Sequence, residues 1–484
     1  MTNIKLPTLK RRKTTPRQGY STGALVAAAF GGALVFGALS SAVFARASIS
    51  ADTFRQLDLF GEVFEQVHEN YVESPEDGDL IKGAIDGMLL TLDPHSNYLT
   101  ADDFQTMQEQ TRGTFAGLGI QITMDNEGPD KGFVKIVAPI DDTPADRAGM
   151  LTNDLIVEID EKPVLGMSID EAISHLKGEK GTKVSIKVVR DREAEPFALT
   201  LVRDIVTVEA VVHERKDDFG YIRIRTFSEQ TDDGLKKSIK ELNREIPGGM
   251  KGLVLDLRSN PGGLLDQAVS VSDMFLEGGE IVSTRGRHAR DTLREMGTPG
   301  DRMNGKPIII LIDGGSASAS EIVAGALQDR NRALLLGTES FGKGSVQTVI
   351  PLQNGLQGAL RLTTSRYYTP SGRSIQAHGI DPDIDMPVIY PGQDAADLPQ
   401  RRSEADLPNA LDVDESEEVE TVDEAAEDVA VSDSEDTGPT PVECGYEEDG
   451  ETVNDCQLDR ALEILADRTA YRQMLADAGT ARAQ

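Results

Sequence analysis

The run Pro307-Ile308-Ile309-Ile310-Leu311-Ile312 leads directly into Asp313-Gly314-Gly315-Ser316-Ala317-Ser318-Ala319-Ser320-Glu321. An apolar run with no polar face reads as a strand buried on both sides, the kind found in sheets flanked by helices. The small residues behind it mark a strand-to-helix turn, and the pattern from Ser318 to Gln328 reads as the helix. Gly252-Leu253-Val254-Leu255-Asp256-Leu257 is a second such run. Alternating strand-like and helical patterns around these two runs predict an α/β core over residues 205–390.

Upstream of the core the pattern changes twice. Apolar residues at three-and-four spacing (Leu57, Phe60, Val63, Phe64, Val67, then Leu80, Ile81, Ala84, Ile85, Met88, Leu89) predict helices over 48–112, interrupted at Ser74-Pro75. Short β-rich runs at Phe133–Val137, Leu155–Ile159 and Val184–Val189 then predict a compact module over 113–204, with one helix at Ile169–Leu176.

Downstream, composition dominates. The 484 residues hold 82 Asp and Glu against 49 Lys and Arg, a net charge of −33. Of that excess, 21 acidic residues fall between Ser403 and Asp455, where no cation occurs. Such a stretch repels itself and buries little, so 391–455 is expected to be a disordered acidic linker. Apolar positions Leu458, Leu462, Ile464, Leu465, Tyr471, Met474 and Leu475 predict a C-terminal helix over 456–484 that docks on the core or on a second subunit. The charge excludes nonspecific nucleic-acid binding. With 39% hydrophobic residues the chain as a whole is not a disordered one.

The front of the chain carries an address. Lys5, Lys10, Arg11, Arg12, Lys13 and Arg17 precede an uncharged, mostly apolar stretch from Gln18 to Ala45, and Ala45-Arg46-Ala47 is a small-x-small cleavage site. Residues 1–47 are therefore expected to be a signal peptide or an uncleaved membrane anchor, placing the protein in the periplasm or on the inner membrane facing it. In an oxidising compartment Cys444 and Cys456 can close a small loop; free thiols are the alternative.

None of the six histidines has metal-ligand spacing, and the G-x-S-x-G match at Gly19 to Gly23 lies in the basic, then apolar, front of the chain rather than at a strand-to-helix elbow, so neither a zinc hydrolase nor a Ser-His-Asp enzyme is expected. His95, in Leu92-Asp93-Pro94-His95-Ser96, reads as part of a turn. A serine at the start of the 318–328 helix sits near unpaired N–H groups that can stabilise an oxyanion, while Ser318-x-x-Glu321 also fits a capping box. Lys343 stands between two glycines in a stretch without other charge; if burial depresses its pKa, the neutral amine can take a serine proton. Gly337 to Lys343 also fits G-x-x-x-x-G-K, but Gly344 replaces the Ser or Thr that holds magnesium, and Val346 to Pro351 reads as strand where a phosphate-binding helix should begin.

Five blocks in one order, Leu92 to Ser96, Gly117-Leu118-Gly119-Ile120, Asp256 to Gly263, Ser316 to Glu321 and Phe341 to Gly344, resemble the carboxyl-terminal processing peptidases, or tail-specific proteases, over residues 55–390. The resemblance implies an α/β serine-protease core with an inserted β-rich PDZ-like domain and flanking helices. It implies Ser318 as nucleophile, Lys343, 25 positions on, as general base, and Gln347 as the residue that orients the lysine. The oxyanion donors would be the backbone of Ala319 and of Gly262 or Gly263. The module would receive the terminal carboxylate of a protein or peptide on Gly117-Leu118-Gly119-Ile120, with Leu118 and Ile120 near the pocket for the last side chain. Asn153 and Glu161 depart from the family pattern at turns where glycine is usual. The resemblance further implies a homo-oligomer, no cofactor and no metal, and it allows an activating adaptor. A peptide-binding scaffold without activity is the rival reading.

Overall fold

The computed structural model describes residues 50–124, 131–190, 193, 195–391, 402–412, 440–446 and 453–482. The expected signal or anchor, 1–47, lies outside them. The chain divides into two units between Gly83 and Ala84. In the first, helix Ala51–Asn70 starts where the Ser50 side chain accepts the Thr53 N–H at 3.1 Å, and Phe54, Leu57, Phe60 and Val63 on it are exposed. Among the described residues no helix is long and apolar enough to cross a membrane.

The second unit is built on a six-stranded sheet in the order Val211–Lys216, Phe219–Ile224, Leu253–Asp256, Ile308–Ile312, Leu334–Gly337, Ile384–Asp385, parallel after its first antiparallel pair. Side chains alternate between its faces. Leu253, Leu255, Ile308, Ile310, Ile312 and Leu335 point into one core with helices Thr231–Glu245, Leu265–Asp273 and Ala319–Asp329. Val254, Ile309, Leu311, Leu334 and Leu336 point into another, closed by Leu458, Ala461, Ile464, Leu465 and Tyr471. The end of the chain is thus two helices, Cys456–Ala466 and Arg468–Ala481, rather than the one expected. They divide at Asp467, whose side chain accepts the Thr469 and Ala470 N–H groups and starts the second. Both pack on the chain's own sheet.

A second sheet of five strands stands beside the first: Asn97–Leu99, Ala359–Tyr368, Gly279–Gly286 and Leu293–Gly297 in order, with Ser345–Pro351 also paired to Ala359–Tyr368. Asn97–Leu99 interrupts the region expected to be helical, since the edge of Ala359–Tyr368 offers it a ladder.

The β-rich module has its own core of Leu118, Val134, Ile136, Met150, Ile156, Ile159, Ile186 and Val188. Its sheet runs Ile120–Met124, Val134–Pro139, Leu155–Ile159, Lys183–Val189, Phe197–Val202, all antiparallel, with Ile120–Met124 at the edge. Asn153 and Glu161 take φ of 70° and 63°, so the turns keep the backbone shape that glycine would allow.

Acidic composition misleads over the described parts of 391–455. Ser403 caps a short turn at Glu404–Asp406, Val442–Glu443 pairs with Val388–Ile389, and Cys444 is bonded to Cys456. Two carboxylates with donors, Glu404 and Asp455, one strand pairing and one disulfide tie these residues down, none of which a composition average can register.

Candidate active site

Three loops meet at the carboxyl ends of adjacent parallel strands, the usual place for a site in such sheets. The first follows Leu253–Asp256. Asp256 is buried and accepts the Arg258 N–H at 2.9 Å, the Arg258 guanidinium at 3.0 and 2.7 Å, and the Tyr221 hydroxyl at 2.8 Å. The other side of that guanidinium is held by Asp455 at 2.9 and 2.7 Å and by Gln457 at 3.0 Å. Arg258 stays charged: burial opposes the charge, and the bonds to Asp455 and Asp256 outweigh it.

Beyond Arg258, buried Asn260 ties two loops together. Its amide donates to Ile224 O at 2.7 Å and accepts Gly262 N–H at 2.9 Å, while its carbonyl accepts the Ala317 N–H at 3.0 Å and the Ser320 hydroxyl at 2.9 Å. Gly262, at φ 100°, lies so close to the second loop that a Cβ would stand 2.8 Å from Ser318 Cβ and 2.9 Å from Ala319 N. Its N–H is committed to Asn260 Oδ1. Gly263 bridges to Phe227 through the carbonyl of Gly262 and the N–H of Leu264, which leaves its own N–H directed away from that partner.

The second loop carries three serines with different fates. Ser316 Oγ donates to Leu257 O at 2.9 Å and Ser320 Oγ to Asn260 O, so both hydroxyls serve the backbone. Ser318 is half-buried, at φ 56° and ψ −111°, a strained conformation for a residue with a side chain. Its N–H donates to Glu321 Oε2 at 2.6 Å.

The third loop follows Leu334–Gly337 and carries Lys343. Glu321, 0% exposed, gathers this loop as well: Oε1 accepts the Ser340 hydroxyl and the Gly342 N–H, each at 2.6 Å, and Oε2 accepts the Lys343 N–H at 3.0 Å. The Tyr367 hydroxyl donates to Lys343 O. Serine and lysine are joined in this way through one carboxylate; among the described residues no direct hydrogen bond links Ser318 to Lys343. Burial lowers the Lys343 pKa, Arg361 adds to that, and Glu404, Glu321 and Asp93 oppose it. Burial raises the Tyr367 pKa well above the ordinary value, so it remains a donor. Gln347 directs its amide nitrogen to Ser345 at 3.0 Å and Thr363 at 3.1 Å rather than to Lys343. After Lys343 the chain continues as strand Ser345–Pro351, not as a phosphate-binding helix.

Burial raises the Glu321 pKa from 4.5 to about 7 against its four hydrogen bonds. The folded protein thus holds this proton more tightly than the unfolded chain does, and the group's stabilising contribution is lost as pH rises from 4.5 through about 7. Glu321→Gln is expected to flatten that part of the stability curve, by on the order of 1.4 kcal/mol per pH unit. Denaturant unfolding at about pH 5 and about pH 8 checks it, and an unchanged slope would count against a buried titrating carboxylate.

In the module, Gly117 ends strand Thr114–Gly117 and Ile120 begins the edge strand. Gly119, at φ 76°, packs where a Cβ would meet Thr143 at 2.3 Å, and its carbonyl accepts the Ile140 N–H at 2.9 Å. Leu118, 2% exposed, belongs to the module core, whereas Ile120 is half-buried at its edge. Of the two apolar residues expected at the pocket, Leu118 therefore supports the loop from beneath.

Several site residues were not singled out by sequence. Glu321 gave a signal only as a capping partner, Asn260 only as part of the glycine block, and Tyr367 none, being one aromatic in an ordinary strand. His95 forms the expected turn, its N–H on Asp93 at 2.8 Å, and its Nε2 also meets Glu404.

Known proteins match these parts in the same order. Residues 218–386 match peptidase family S41, 135–190 a PDZ domain, and 38–103 the N-terminal domain of the activating protease CtpB. The carboxy-terminal-processing protease of Bartonella bacilliformis is 52% identical over 348 residues, 71% of this chain and 79% of that protein. The carboxy-terminal processing protease CtpA of Bacillus subtilis is 35% identical over 331 residues, 68% of each chain. Among solved structures, a photosystem II D1 C-terminal processing protease is 29% identical, with a TM-score of 0.39, covering 68% of this chain and 92% of that one. The chain belongs to peptidase family S41, the carboxy-terminal processing serine proteases with a PDZ domain.

Proposed function

We propose that the protein binds the C-terminus of a protein or peptide on its PDZ-like module and hydrolyses peptide bonds of the same chain with Ser318 and Lys343. The observation that carries this reading is Glu321, whose one carboxylate holds the Ser318 N–H and the Lys343 N–H together while the hydroxyls of Ser316 and Ser320 are committed elsewhere. Neutral Lys343 takes the Ser318 proton as Oγ attacks the carbonyl carbon. The oxyanion is received by the N–H groups of Ala319 and Gly263. Lys343 then gives its proton to the departing amine, and water releases the acyl group by the same steps in reverse. Gln347 acts on the lysine at one remove, through Ser345 and Thr363. Capture of the tail uses the unpaired edge of Ile120–Met124 for strand addition and the turn Gly117-Leu118-Gly119-Ile120 for the carboxylate.

We place the protein outside the cytoplasm, in the periplasm or anchored on the inner membrane facing it. The basic, then apolar, front of the chain and the Cys444–Cys456 bond support that location. The division at 48–112, 113–204, 205–390 and 456–484, a homo-oligomeric state and an activating adaptor belong to the same proposal. The exposed apolar residues of Ala51–Asn70 support association.

Cleavage of a loosely folded reporter with an apolar tail, its terminal carboxylate free or amidated, tests the reading. The free tail is expected to be cut, and amidation to lower kcat/KM by about 10- to 100-fold, the worth of one or two charge-assisted hydrogen bonds. Equal cleavage of both tails would remove C-terminal recognition. Cleavage of neither would favour the inactive scaffold.

A further inference from the structure

Among the carboxylates of the acid-rich stretch, Glu404 is 0% exposed. A buried carboxylate persists only with partners. The Nε2 of His95 lies 2.9 and 2.8 Å from its two oxygens, and the Gln376 amide donates to Oε1 at 3.1 Å. The same residue grips the lysine loop at both ends. Its N–H donates to Phe341 O at 2.9 Å, and Gln376, held by its side chain, accepts the Gly344 N–H at 3.1 Å. Lys343 lies between those two points. His95 is fixed in turn by Asp93, which also accepts the Thr363 hydroxyl at 3.0 Å; Thr363 is the residue that receives Gln347. The Asp93 turn, the acidic segment and the lysine loop thus form one network, drawn from residues more than 300 positions apart.

We propose that Glu404, hydrogen-bonded to His95, is a positioning residue for peptide hydrolysis: it fixes the loop that carries Lys343 and sets the charge around that amine. The proposal rests on Lys343 being the base. Arg361 disfavours the charged amine, and Glu404, Glu321 and Asp93 favour it; His95 is bonded to Glu404, and Tyr367 to the Lys343 carbonyl. Loss of the Glu404 charge removes one of the three carboxylates that favour the ammonium form, so Lys343 gives up its proton at lower pH.

The test uses the full chain and the free-tail reporter, with Glu404→Gln, Glu404→Ala and His95→Gln beside Ser318→Ala and Lys343→Ala. Thermal melts confirm folding, and Glu404→Gln, nearly isosteric, carries the result if the alanine variant does not fold. Glu404→Gln is expected to lower kcat by about 10-fold, to leave KM within about 2-fold, and to move the rising limb of kcat against pH downward by up to about one unit. Glu404→Ala is expected to lose about 100-fold in kcat. A Glu404→Gln enzyme with unchanged kcat and limb overturns the proposal, and so does a loss of kcat with the limb unmoved, which is what simple loosening would give. Continued cleavage by Lys343→Ala overturns the dyad and this proposal with it; an inactive Lys343→Ala beside an unaffected Glu404→Gln overturns the proposal alone.

Discussion

Lys343→Ala is expected to lower kcat by about 10²- to 10⁴-fold, the usual worth of a general base, and Ser318→Ala by about 10⁴- to 10⁶-fold. The two losses should not add, because each variant removes one end of the same proton transfer. The wild-type rate should rise with pH through one ionisation below the ordinary lysine range. Burial disfavours the ammonium form, Arg361 repels it, and the opposing carboxylates do not restore the ordinary value. Activity is accordingly low where Lys343 is protonated and reaches a plateau where it is neutral, with no limb from histidine. A second limb that disappears in His95→Gln would instead make the histidine a participant in the reaction. Full activity in either alanine variant would remove that residue from the reaction.

Gly262→Ala is expected to lower kcat by at least about 10²-fold while leaving the protein folded. The new methyl group would stand 2.7 Å from Ala317 O, 2.8 Å from Ser318 Cβ and 2.9 Å from Ala319 N, all of them on the Ser318 turn. Both that turn and the glycine loop are pinned to Asn260, so the strain is released by moving Ser318 and the Ala319 and Gly263 amides relative to one another. A φ of 100° adds roughly 1–3 kcal/mol of backbone strain for any residue with a side chain. The melting temperature should fall by a few degrees and activity by far more. Wild-type kcat with a large loss of stability would mean that the close approach serves packing rather than catalysis.

Much of the architecture can be read along the chain because its central strands are covered on both faces. Gly252–Leu257 and Pro307–Ile312 carry no polar alternation, and the observed strands Leu253–Asp256 and Ile308–Ile312 fall within those limits. The helix read at Ser318–Gln328 is observed at Ala319–Asp329. The second sheet gives no such signal. Ala359–Tyr368, reading Ala-Leu-Arg-Leu-Thr-Thr-Ser-Arg-Tyr-Tyr, mixes polar and apolar residues because it pairs on both edges while neither face is wholly dry. At the site, the glycines and the isolated lysine are visible locally. The distinction among Ser316, Ser318 and Ser320 becomes physical only through Leu257 and Asn260, some sixty positions away. Glu404 is hidden in the opposite way, as one buried carboxylate within a stretch whose composition argues for solvent.

The helices Cys456–Ala466 and Arg468–Ala481 close one face of the parallel sheet, and Asp455 and Gln457 hold Arg258 beside the glycine loop. These residues leave the ribosome after every strand they cover. Until they do, Val254, Ile309, Leu311, Leu334 and Leu336 have no cover, and a parallel sheet bare on one face does not hold its loops in place. Synthesis from the N-terminus therefore leaves the loops that carry Ser318 and Lys343 without a settled sheet until both helices have been made, so the strands pass through that interval without the arrangement proposed for hydrolysis.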